Sequence, residues 1–224
     1  RQIGARLDDR ASASERAQGL LRRMSEQGFC EDDDFPLQPR SALLPLVLQR
    51  RQGQPLSLAL VAMELARRLD IPLVGVNFPG RFLLRVPQAD HLLDPATGRR
   101  LYTPDCRELL LRLQGPKSEL QAAYLKQASP GEILQRLSRN LRQLHSAAGE
   151  PLAALKDAQR VIELGPVGAA DHEARAGLYR QLDCPQAERY DLERALLLSD
   201  DPTEQLRLGQ RLGELAPPTS RALH

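Results

Sequence analysis

Apolar positions dominate one stretch of the chain. Leu56, Leu58, Ala59, Leu60, Val61, Ala62, Met63, Leu65, Ala66 and Leu69 cover nearly every side of a helix. Glu64, Arg67 and Arg68 share one narrow face at i, i+3, i+4 spacing. That pattern predicts a core helix covered on most sides, and Pro55 suits its first turn. The period then changes to two. Val74, Val76 and Phe78 alternate, and so do Phe82, Leu84 and Val86, which predicts strands. Pro79-Gly80 and Pro87-Gln88-Ala89-Asp90 punctuate a short antiparallel meander, with 91–94 as its next segment.

The flanks are helical. Ser12 and Glu15 form the signature of a capping box, opening a helix that carries Leu20, Leu21 and Met24 inward and stops near Gly28. A second helix is expected over 41–52, where Pro45 is tolerable only near the start. Residues 98–102 predict one more strand, and Thr103 is the expected cap of a helix through Leu113. Gln114-Gly115-Pro116 cannot continue that helix and predicts a linker. Helices are then expected at 118–128, 130–147, 151–164, 168–182, 185–199 and 202–215. A period of 34 runs through them: Pro151-Leu152-Ala153 recurs as Pro185-Gln186-Ala187, and Leu144, Leu178 and Leu212 share the spacing. That is the period of tetratricopeptide repeats. The predicted architecture is α+β over residues 1–115, followed over 116–224 by an all-α tetratricopeptide-type array.

Composition narrows the function classes. A net charge of +2 gives no overall electrostatic drive towards nucleic acid. Aromatic residues make up 4% and Trp is absent, which argues against a base-stacking platform. Lys occurs only at 117, 126 and 156, a skew towards Arg that we read as GC-rich coding. Cys30, Cys106 and Cys184 lie far apart and are odd in number. They form neither a metal spacing nor a disulfide framework, and they fit a reducing cytoplasm. No signal peptide or membrane-length apolar run is present. The chain begins at Arg1 without Met, so a short preceding piece is expected. Glu31-Asp32-Asp33-Asp34 lacks the alternation and Gly of a calcium loop and is expected to be a solvated acidic turn.

Several strings together resemble a known family. They are Gly28-Phe29, Val47-Leu48-Gln49-Arg50-Arg51-Gln52-Gly53-Gln54-Pro55-Leu56-Ser57-Leu58, Ala66-Arg67-Arg68-Leu69, Val76-Asn77-Phe78-Pro79-Gly80, Phe82-Leu83-Leu84-Arg85-Val86 and Asp94-Pro95. The chain resembles the SirB-type proteins, a divergent branch of the transglutaminase-like superfamily usually followed by tetratricopeptide repeats. The resemblance implies a papain-like helix with a small antiparallel sheet. It also implies the positions of a Cys at a helix N-terminus, a His on a strand and an Asp on the next, where helix and His stabilise a thiolate and Asp orients the His. Here Pro55 stands at the nucleophile position, with Ser57 the nearest hydroxyl. Arg81 replaces the His, and only Asp94 remains. An Arg cannot take a proton near neutral pH. The resemblance therefore implies the fold and no catalytic residue.

A hairpin across residues 87–90 sets Leu84 opposite Leu93 and puts Arg81 on the face of Asp94, one diagonal step away. Arg81 could then hold Asp94 as a static ion pair. The equal alternative has Arg81 in solvent and Asp94 capping the turn at Pro95-Ala96. Strand alternation sends His91 to the other face from Asp94. His145, His172 and His224 read as surface or packing residues. The expectation is a bacterial, cytoplasmic interaction or regulatory protein, with no cofactor, no metal, no nucleic acid and no membrane. A protein partner would use the groove of the helical repeats. The alternative is a cysteine-protease-like or acyl-transfer enzyme with a rearranged site.

Overall fold

The computed structural model describes residues 11–215. The chain divides into two compact units, Arg1–Ile133 and Leu134–His224.

The first unit opens on α1 (Ala13–Glu26). The expected capping box is formed: the Ser12 N–H donates to Glu15 Oε2 at 2.9 Å, and the Glu15 N–H to Ser12 Oγ at 3.3 Å. Ala17, Leu20, Leu21 and Met24 make the buried face of this helix, which packs on α3. A two-residue strand follows, β1 (Cys30–Glu31). The second helix is shorter than expected. Pro39–Ser41 is a 3-10 turn and the α-helix proper is α2 (Leu44–Arg50). Pro45 thus falls in the first turn, where its missing N–H costs nothing. Arg51 ends the helix in a left-handed conformation (φ 60°). The chain then enters β2 (Gln52–Gly53), which pairs parallel with β1.

The organising helix is α3 (Pro55–Arg68), with Leu56, Leu58, Ala59, Ala62 and Ala66 buried and Glu64 holding Arg67 and Arg68 outside. Then come β3 (Val74–Val76), β4 (Leu83–Arg85), β5 (Leu92–Leu93) and β6 (Arg100–Leu101), one antiparallel sheet in chain order. Leu84 lies opposite Leu93, the register that the turn length implies. A Cβ at Gly75 would come within 2.5 Å of Phe82 Cζ, so this strand position has to be glycine for the ring to lie against it. The Asp105 carboxylate accepts the Tyr102 N–H at 2.9 Å at the start of α4 (Thr103–Gln114), so Tyr102 rather than Thr103 is the capping position.

The segment expected as a helix over 118–128 holds only a 3-10 turn, Ala122–Leu125. Leu120, Tyr124 and Leu125 pack on the core of Val76, Leu83, Leu92, Leu101 and Leu110. Ala128 donates to the Gly75 carbonyl at 2.8 Å and Arg85 to the Leu125 carbonyl at 3.0 Å. Covering the sheet overrides local helix propensity.

The dividing point between units falls inside α5 (Pro130–Ala147). The second unit continues with α6 (Pro151–Glu163), α7 (Ala169–Gln181), α8 (Pro185–Leu198) and α9 (Pro202–Glu214). Leu144 and Leu178 are both buried. Ala154 and Ala158 pack with Leu178, and Ala176 and Ala195 with Leu192 and Leu208. Small residues let these helices approach. Charge is buried here too. Arg175 grips Asp191 through Nε and Nη2, each at 2.7 Å, and His172 Nδ1 lies 2.9 Å away. Asp157 occupies the same place one 34-residue step earlier, held by His145 and Arg160.

Candidate functional site

Pro55 is the first residue of α3 and carries no nucleophile. Ser57 is completely buried, and its hydroxyl donates to the Ala42 carbonyl at 3.3 Å. It ties the helix to the preceding loop and does not face a cleft.

Arg81 and Asp94 are brought together. Arg81 Nε and Nη2 lie 2.9 and 2.8 Å from Asp94 Oδ2. Both alternatives for Asp94 hold at once, because a carboxylate has two oxygens. Oδ1 accepts the N–H groups of Ala96 and Thr97 and the Thr97 hydroxyl, each at 3.0 Å, and so fixes the turn after β5. Arg81 also reaches Glu31, through Nη1 at 3.2 Å and Nη2 at 2.8 Å. Burial lowers the pKa of the guanidinium. The hydrogen bond to Glu31 and the charges of Asp94 and Glu31 outweigh it, so the net shift is upward. Arg81 is therefore a fixed cation. Gly80 (φ +75°) permits the turn that aims it, and a Cβ there would come within 3.1 Å of the Leu113 side chain.

Glu31 is the residue that sequence reasoning missed. The acidic run is not a solvated turn. Asp32 is buried, accepting from Ser41 Oγ and from Arg50 Nη1, each at 2.7 Å. Burial raises its pKa, but these donors and the Asp34 N–H outweigh that and bring it down to about 2. Asp34 pairs with Arg40 at 2.6 Å. The only sequence signal was the facing basic set, Arg40 and Arg50.

His91 lies away from Asp94, as alternation requires. Its Nε2 is 2.9 Å from Ser14 Oγ and its Nδ1 is 2.8 Å from Asp90 Oδ1, with the ring tilted on Tyr102. This hydroxyl–imidazole–carboxylate chain has the atom order of a nucleophilic relay, and it was not anticipated because Ser14 is 77 residues from His91. Cys106 is buried, and burial together with Asp105 pushes its thiol up, away from the thiolate form. Cys30 and Cys184 are exposed. Among the described residues no group of three or more His, Cys, Asp or Glu side chains could hold a metal ion, and no helix is long and apolar enough to cross a membrane. His224 lies outside the described residues.

Residues 1–139 match the family described as the transglutaminase-like superfamily. The chain is 37% identical over 177 residues to a UPF0162 protein of Xylella fastidiosa (strain 9a5c), covering 76% of this chain and 63% of that protein. It is 28% identical over 173 residues to Protein SirB1 of Salmonella typhimurium, covering 75% and 63%. It is 30% identical over 152 residues to the UPF0162 protein YchA of Escherichia coli (strain K12), covering 66% and 56%. The chain thus spans less than two thirds of the length of these relatives. No solved structure gives a significant match.

Proposed function

This chain belongs to the transglutaminase-like superfamily, and from that membership we propose that it works without catalysis, as a cytoplasmic interaction or regulatory protein. The observation that carries this reading is Arg81. It occupies the base position, is held by Asp94 and Glu31, and cannot accept a proton. Pro55 removes the nucleophile. The helical part is the partner-binding half, and its helices are read as tetratricopeptide repeats. Cavities of about 420 and 390 Å³ border α7 on its α5 and α9 sides and share Gly177. The position of a Cβ there has no heavy atom within 4 Å. A protein segment lying along this groove would pass over Gly177.

The test has two arms. A thiol-directed activity probe should label no Cys in a way that abolishes turnover of a glutamine- or peptide-based acyl donor. Capture of partners with the full chain should lose a protein when Gly177→Trp fills the groove. Rapid labelling of one Cys with loss of turnover would overturn the non-catalytic reading.

The Ser14–His91–Asp90 chain favours a second reading, an acyl-transfer enzyme with a rearranged site. A fluorophosphonate probe that labels the native chain but not Ser14→Ala would establish it, and no labelling would remove it.

A further inference from the structure

We propose that the cavity beside Arg81 is a binding site for a small anion, an oxyanion carried on a compact apolar body. It has a volume of about 240 Å³. Arg81, Arg99 and Arg112 converge on it from the β3–β4 turn, the lead-in to β6 and α4. Leu101 and Leu109, both buried, supply apolar surface. Leu109 and Arg112 stand three residues apart on α4 and so share a face.

The lining has three guanidinium groups and one carboxylate, while Glu31 and Asp105 outside it pair with Arg81 and Arg99. Asp94 is the acidic residue of the lining, and it already accepts from Arg81 twice, from the Ala96 and Thr97 N–H groups and from the Thr97 hydroxyl. A carboxylate offers about four lone-pair directions, so Asp94 has no capacity left for a further cation. Arg99 donates one Nη2 to Asp105 at 2.7 Å and keeps the rest of its fork. Arg112 has no hydrogen-bond or ion-pair partner among the described residues. Two residues of the lining thus carry guanidinium groups with unused donors, beside a third that is fixed. Guanidinium forks match the geometry of carboxylates and phosphates, and Arg99 and Arg112 supply the unused donors here. The volume lies below the roughly 300–1,000 Å³ of drug-sized pockets, which selects a ligand the size of one ring with one anionic group. A phosphate monoester and a carboxylate share this chemistry.

An anion site presupposes that Arg81 is static, as in the non-catalytic reading. The two can fail separately, because the thiol probe reads the chemistry and the following titration reads only the cavity. Phenyl phosphate, benzoate and neutral phenol are titrated into the full chain by calorimetry at low ionic strength, with Arg112→Ala, Arg99→Ala and, as a control in the helical unit, Arg180→Ala. Saturable binding of phenyl phosphate or benzoate is expected, weakened about tenfold by either cavity substitution, unchanged in the control and reduced by salt. The tighter of the two anions identifies the class. Arg112 is exposed and unpartnered, so its truncation leaves the fold intact, which far-UV dichroism checks. Absence of saturable binding by both anions, equal binding of phenol, or affinity unchanged in both cavity variants would overturn the assignment.

Discussion

Arg81 and Asp94 meet across the β4–β5 hairpin with Nη2 2.8 Å from Oδ2, their side chains 23% and 12% exposed. The pair is partly withdrawn from water, and Asp94 simultaneously shapes the turn that follows β5. Removing the cation leaves a buried carboxylate that keeps its turn contacts. Arg81→Ala should cost about 2–3 kcal/mol in urea unfolding. Asp94→Asn, combined with it in a double-mutant cycle, should give a coupling above about 1 kcal/mol. Additive effects would mean that the two do not interact.

Asp32 should set part of the acid limit of the first unit. Its carboxyl sits at about 2 in the folded chain, against 3.8 as its ordinary value. A depressed carboxylate contributes stability that is complete above pH about 4 and is lost as pH falls through about 2. The contribution is on the order of 2 kcal/mol. Asp32→Asn should therefore flatten the fall in melting temperature between pH about 4 and 2, and should lower stability at pH 7. An unchanged acid limb would place the sensitivity elsewhere.

In the second unit, Asp191→Ala should be among the most damaging substitutions. Asp191 is fully buried, and its loss strands the buried guanidinium of Arg175. The expected cost is about 3–5 kcal/mol. Arg160→Ala, which takes only one donor from Asp157 and leaves His145 in place, should cost less than about 1 kcal/mol. Equal losses on thermal melting would contradict the burial-based ranking.

Thiol titration should separate the three cysteines. Cys30 and Cys184 are exposed and Cys106 is buried, with its thiol held up by burial. Ellman's reagent should give two fast equivalents in the native chain and a third only on unfolding. A Cys106→Ser variant should lose the slow phase alone.

Much of the fold was legible because its signals are local. The capping box at Ser12 and Glu15, and Pro opening α3, α6, α8 and α9, act within one helical turn. The hairpin register followed from the turn at 87–90, since a period of two leaves few ways to bury Leu84 and Leu93 together. The same register brought Arg81 to Asp94 in the sequence reading.

What the sequence could not give is what crosses long distances. Glu31 meets Arg81 over 50 residues and Ser14 meets His91 over 77, because β1 pairs with β2 and α1 docks on α3. Asp32 looked like one acid of four until Ser41 and Arg50 closed around it. The stretch 118–128 carries helical residues yet is mostly not a helix, since Leu120, Tyr124 and Leu125 gain more by covering the sheet. Periodicity and caps fix which elements form, because they depend on neighbours a few residues away. Which charges are buried, paired or left facing a cavity depends on how those elements dock, and only the tertiary structure decides it.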